Sequence, residues 1–160
     1  MASYGSLFLH HLKLEGRPLL ESPNQQMRHL LDSLGKYQRA GRELDSFRQV
    51  LSDVESSLEA DHSAPFELSV VATAARHAAI LGCYFTGKPT FGRDAAFWQL
   101  FPSLGYSSDV TEEFIALYRY RRADDQGEPP EAEIPEAEVL DWIARVRRLI
   151  DQVEILGHGS

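Results

Sequence analysis

The chain has 160 residues, 43% of them apolar and 25% charged, which predicts one folded domain over 1–160 and argues against disorder. Its net charge of −8 is unevenly spread. Residues 1–65 carry 7 Lys/Arg against 9 Asp/Glu, residues 66–123 carry 6 against 5, and residues 124–160 carry 3 against 10, so a broad basic nucleic-acid-binding surface is excluded while a small basic spot in the middle third is not.

The first segment, residues 1–21, contains SYGSLFLHHLKLE, whose Leu7, Phe8, Leu9, Leu12 and Leu14 fit a short helix ending at Gly16 or an edge strand; helix agrees with the rest of the chain. Met1 to Glu15 lacks the basic start of a signal peptide and has two histidines in its apolar run. Ser22-Pro23-Asn24-Gln25 has the hydroxyl, proline and glutamine of a capping box. Met27, Leu30, Leu31, Leu34 and Tyr37 follow at helical spacing, and the stripe resumes at Leu44, Phe47, Leu51, Val54 and Leu58. That pattern predicts one long helix to about Ala60, or two helices broken near Gly41. Asp61 to Ala64 then reads as a turn.

The longest low-charge run, Phe66 to Gly87, predicts a central helix opened by Pro65 and stopped by Gly87 with Pro89 beyond it. It is long enough to span a bilayer, but Glu67, Arg76 and His77 would each be costly in lipid, so a buried helix with no membrane partner is expected. Ala72, Ala75, Ala79 and Cys83 form a small-residue line where another helix can approach. Ser69, Thr73, Arg76, His77, Ile80 and Tyr84 lie on another side.

A short lid helix, about Asp94 to Phe101, is expected to pack Phe97, Trp98, Leu100 and Phe101 onto a bundle. Asp109 with Glu112 predicts the cap of the next helix, which carries Phe114, Ile115, Leu117 and Tyr118 and ends in Arg119, Arg121 and Arg122. Residues 124–134 form an acidic, Pro-rich loop. From Asp124 to Glu138 there are seven acidic residues and no basic one. Pro135 begins the last helix, in which Val139, Trp142, Val146, Leu149, Val153 and Leu156 form a seam widened by Leu140, Ile143 and Ile150, with Gly157 as its stop. The fold class is all-α: a bundle of four to five main helices plus the lid. The width of the last seam predicts a homodimer.

Chemistry is sparse. The six histidines offer no pair at metal-binding helical spacing and the single Cys83 no thiol partner, so no metal, cofactor or catalytic residue is assigned, and Cys83 reads as a packed thiol. Two polar features remain. Arg76-His77 is either an arginine paired with an acidic neighbour beside a hydrogen-bonded histidine, or a polar cleft that takes a ligand or a partner's charge. Tyr118-Arg119-Tyr120-Arg121-Arg122-Ala123-Asp124-Asp125 is either a basic helix end neutralised by carboxylates, or a place where guanidinium groups grip phosphate while Tyr118 or Tyr120 stacks on a base.

The helix ELSVVATAARHAAIL with its internal basic pair, the short lid, the arginine-ended helix, the Pro-rich loop and the last amphipathic helix occur in an order that resembles the HEPN superfamily of prokaryotic helical bundles, over roughly residues 44–156. HEPN ribonucleases carry an Arg followed by His with four to six residues between; in RYRRADDQGEPP no histidine stands there. The resemblance therefore implies a non-nucleolytic, homodimeric binding component of a bacterial toxin–antitoxin or defence system, similar to the partners of small nucleotidyltransferases, and the single cysteine and the start of the chain add a cytoplasmic location. Arg119, Arg121 and Arg122 would be its contacts for RNA, nucleotide or protein, beside Tyr118 and Asp124 and supported by Arg76 and His77. The alternatives are a degenerate ribonuclease using Arg119, Arg122 and Tyr118, and an adaptor or inhibitor that docks its acidic loop, Asp124 to Glu138, on a basic partner.

Overall fold

A computed structural model describes residues 7–16, 26–58, 64–127 and 134–159. Among them the fold is all-α, with seven α-helices, one short 3-10 turn and no strand. The chain divides into two compact units, residues 1–42 and 43–160, and each is taken by itself.

The first unit holds α1 (Leu7–Glu15) and α2 (Gln26–Asp32). The stretch that fits helix or strand is helical, closed by the Gly16 amide donating to the Leu12 carbonyl at 3.0 Å. α1 and α2 touch. The Lys13 ammonium stands 3.9 Å from the Asp32 carboxylate, and the His10 Nε2 is 3.3 Å from the Gly35 carbonyl oxygen. The Ser22 capping box lies outside the described residues. The break after α2 falls at residues 33–39, ahead of Gly41 rather than at it: Ser33 Oγ donates back to the Leu30 carbonyl at 2.9 Å, a local bond that competes with helix continuation.

α3 (Ala40–Ser57) leads into the second unit, which continues with α4 (Ala64–Phe85), α5 (Ala95–Leu100), the 3-10 turn Phe101–Leu104, α6 (Ser108–Gln126) and α7 (Glu136–His158). Gly41 lies inside α3 with open space where a Cβ would stand. α4 is the centre of this unit, in contact with α5, α6 and α7. By length and composition it could cross a membrane, yet most of it is buried among its neighbours, as a core helix is. Ala72, Ala75, Ala79 and Cys83 are all buried, as the small-residue line predicts. Beside them, Gly82 lets α5 and α7 approach together: a Cβ there would stand 2.5 Å from Leu100 Cδ2 and 3.1 Å from Val153 Cγ2.

The end of α4 is a Schellman cap. Gly87, at φ +71°, donates to the Tyr84 carbonyl at 3.1 Å, and Lys88 donates to the Cys83 carbonyl at 3.0 Å. The lid covers an aromatic cluster in which Phe101 meets Phe97 and Phe114 edge-on, at 5.3 and 5.0 Å between centroids, and Phe114 meets Trp142 at 5.2 Å. Such pairs each add about 0.5–1.5 kcal/mol to the burial itself. Trp98 departs from the expected lid face: it is 45% exposed.

Three helix ends differ from expectation for local reasons. α6 starts two residues earlier, because Ser107 Oγ, not Asp109, accepts the Val110 amide at 3.3 Å. α6 also runs on to Gln126, with Gly127 at φ +65°, so Arg119, Arg121 and Arg122 precede its last turn. α7 continues through Gly157, where a Cβ would meet the Phe85 ring at 2.9 Å; that glycine serves close packing rather than helix termination. Val139, Trp142, Ile143, Val146, Leu149, Ile150 and Val153 of the α7 seam are all buried in the chain's own core.

Candidate anion-binding site

Arg76 and His77 are neighbours on α4, so about 100° of helical turn separates their side chains. Arg76 is half-buried and reaches α6, where its guanidinium lies over the Tyr118 ring, 5.8 Å from the centroid. Its Nη2 donates a long bond of 3.5 Å to the Phe91 carbonyl, and its Nε–H is buried without an acceptor. No ion pair of Arg76 is found among the described residues, so the reading that pairs it with an acidic neighbour is not the one the molecule adopts.

The loop ahead of α5 adds a residue that sequence reasoning missed. Arg93, exposed, also lies over the Tyr118 ring at 5.7 Å, with its Nε 3.2 Å from Asp94 Oδ1. Two cations thus share one ring, and a carboxylate stands beside one of them. Arg93 sits outside any periodic stretch, and the only signal for it was a cation one residue before the lid.

His77 turns away from this pair. Its ring leans on Phe47 of α3 at 5.9 Å between centroids, while an outer edge reaches solvent. Crowding by the protein on the inner side, and then the Arg76 charge, push its pKa below the ordinary histidine value, against a smaller opposing pull from Glu43. Thr73 is turned into its own helix, its Oγ1 donating to the Ser69 carbonyl at 2.9 Å.

The arginine-rich end of α6 makes contacts of its own. Arg119 lies over the Tyr120 ring at 4.8 Å and donates to the Tyr120 hydroxyl at 2.8 Å, and Arg121 pairs with Asp125 at 2.7 Å. Arg122 is exposed, four residues beyond Tyr118 on the same helical stripe. The Asp124 side chain and residues 128–133 of the acidic loop lie outside the described residues. Of the residues singled out in the sequence, the structure therefore joins Arg76 to Tyr118 and keeps His77 alongside, while Arg119 contacts Tyr120 and Arg121 pairs with Asp125.

Tyr118 has two guanidinium groups near its ring, and Tyr120 is buried with Arg119 over it, so Tyr120 offers little face to a base and Tyr118 is already engaged by cations. What the α4–α6 face does offer is permanent positive charge. A guanidinium stays charged throughout the physiological range and has five N–H donors and no acceptor, which suits anion capture and not proton transfer. Among the described residues no group of three His, Cys, Asp or Glu side chains comes together as a metal-binding set.

Comparison of the chain with protein-family models, with curated proteins and with solved structures finds no match, so the functional reading is carried by the geometry of Arg76, Arg93 and Tyr118.

Proposed function

We propose that this protein acts by binding rather than by catalysis, capturing an anionic partner on the α4–α6 face. The observation that carries the reading is Arg76: a half-buried arginine, one N–H unsatisfied, without a carboxylate partner and beside a second arginine on the same ring. A half-buried charge without a counter-charge is costly, and an arriving anion supplies that counter-charge, while the closed-off Nε stays unbonded. The contact set thereby shifts from Arg119, Arg121 and Arg122 to Arg76 and Arg93, with Arg122 at the margin.

The wider assignment rests on the resemblance of helix order: a HEPN-like, non-nucleolytic, cytoplasmic component of a bacterial toxin–antitoxin or defence pair, with a small nucleotidyltransferase as the protein partner. Homodimerisation is proposed chiefly on that resemblance, because seven residues of the α7 seam lie inside the core and Leu140 is left exposed. Sedimentation of a monomer at tens of micromolar would remove it.

The test of the binding reading is a co-purification in which RNA and protein recovered with the native chain are identified and compared with those recovered by Arg76→Met/Arg93→Gln. The reading expects the anionic partner to be lost from the double variant while the fold, followed by circular dichroism, is kept. Identical recovery by the two chains would sink it.

A further inference from the structure

We infer that the group recognised at Arg76 and Arg93 is a phosphate monoester, held through its oxygens with the remainder of the ligand left unread. The inference rests on the binding reading above and narrows it to a ligand class.

Charge is the first argument. Asp94 answers Arg93, and Arg76 has no ion-pair partner among the described residues, so the pair keeps one uncompensated positive charge in a chain that is strongly acidic as a whole. An anion drawn to this spot meets no competing internal carboxylate on Arg76.

Donor count is the second. A carboxylate has two oxygens, and a single guanidinium fork satisfies both. Two forks that share one ring suit a group with three terminal oxygens and more than one negative charge, which a phosphate monoester has near neutral pH. The Arg76 Nε is closed off from solvent, so that arginine presents its Nη groups; the Phe91 carbonyl on Nη2 and the Tyr118 ring hold the guanidinium in place before any ligand arrives. Arg93 is exposed, and its bond to Asp94 is made through Nε. Preorganised donors of this kind cost little to order on binding.

Ring occupancy is the third. A nucleotide site that reads its base usually offers an aromatic face for stacking. Here the Tyr120 ring is buried with Arg119 over it, and the Tyr118 ring is already engaged by the two cations that would grip the phosphate. The base is therefore expected to add little to recognition.

Isothermal titration of the full chain at constant ionic strength tests this with inorganic phosphate, phosphoserine, adenosine 5′-monophosphate, uridine 5′-monophosphate and acetate. The expected result is binding of all four phosphate-bearing probes, no preference between the two nucleotides, and much weaker binding of acetate. Arg93→Gln, at an exposed position that leaves the core alone, should weaken phosphate roughly tenfold or more, the loss of one charge-assisted contact. Acetate binding as tightly as phosphate overturns the phosphate assignment and leaves anion capture standing. Strong preference for one nucleotide over the other overturns the unread base, and preference for phosphoserine over both nucleotides moves the source to a phosphorylated protein. Absence of phosphate binding overturns the inference outright, whereas the binding reading itself falls only if co-purification is unchanged in the double variant.

Discussion

Two half-buried arginines in the same bundle are treated in opposite ways. Arg48 of α3 reaches α7 and meets carboxylates: its Nη2 is 2.6 Å from Glu154 and 2.8 Å from Asp151, and its Nη1 is 3.4 Å from Asp45 of its own helix. These hydrogen bonds, Glu154 first, raise its pKa still further above the ordinary arginine value. Arg147 of α7 makes a second tie at 2.6 Å to Glu55, so α3 and α7 are clasped at two levels. Arg76 of α4 meets a ring and a backbone carbonyl instead. Acidic side chains outnumber basic ones by 24 to 16, so carboxylates are not scarce. An arginine placed without one is therefore informative: the first pattern joins helices, and the second keeps a charge in reserve.

The largest expected effect is on the clasp. Arg48→Met leaves Asp45, Asp151 and Glu154 without their shared cation and should lower stability by about 1–2 kcal/mol, read by chemical denaturation. The same substitution at Arg76 removes a cation–π contact but also an unsatisfied buried N–H, and stability should stay within about 1 kcal/mol of native. A loss at Arg76 as large as that at Arg48 would break the contrast and make Arg76 structural.

The second tie has a pH signature. The Arg147 hydrogen bond, and then its charge, hold the Glu55 carboxyl below the ordinary value of 4.5. A depressed folded pKa contributes stability that is present above the unfolded value and is lost as pH falls through the folded one, so the contribution should fade below about pH 4.5. Melting curves of Arg147→Gln should show a shallower fall over that acid range than native curves do. The smallest effect is at His77. Its folded pKa is depressed, so its contribution is present above the ordinary value of 6.5 and declines as pH falls through the folded value. In Arg76→Met the histidine should titrate at a higher pH than in the native chain, still below its ordinary value because the crowding stays. A nuclear magnetic resonance titration reads that shift, and an unmoved His77 would mean that Arg76 does not act on it.

Strong periodicity made most of the second unit legible. α4 declares itself through an apolar run closed by Gly87 and Pro89, and the α7 seam through alternating spacings of three and four. Both are burial patterns written in consecutive residues. The errors came where two residues compete for one local role. Ser107 and Asp109 both make good caps, and only the bond to the Val110 amide decides. Gly157 has the composition of a helix stop, but what fixes it is the Phe85 ring, 72 residues earlier in the chain. The site failed in the same way. Arg76 was visible as a charge in an apolar helix, whereas its ring partner on α6 and its companion Arg93 come together only through tertiary packing, and loop residues carry no period to betray their direction.

Cys83 supplies a built-in reporter of how the centre of the molecule breathes. Its side chain is fully buried on α4, its Sγ–H points to the Ala96 carbonyl at 3.3 Å, and burial pushes the thiol up to about 11. Near neutral pH almost none of it is thiolate, and no reagent reaches it in the closed form. Alkylation must wait for the packing around Cys83 to open. The rate at which a small thiol reagent labels this one cysteine therefore measures, without any added probe, how often the centre of the bundle becomes accessible.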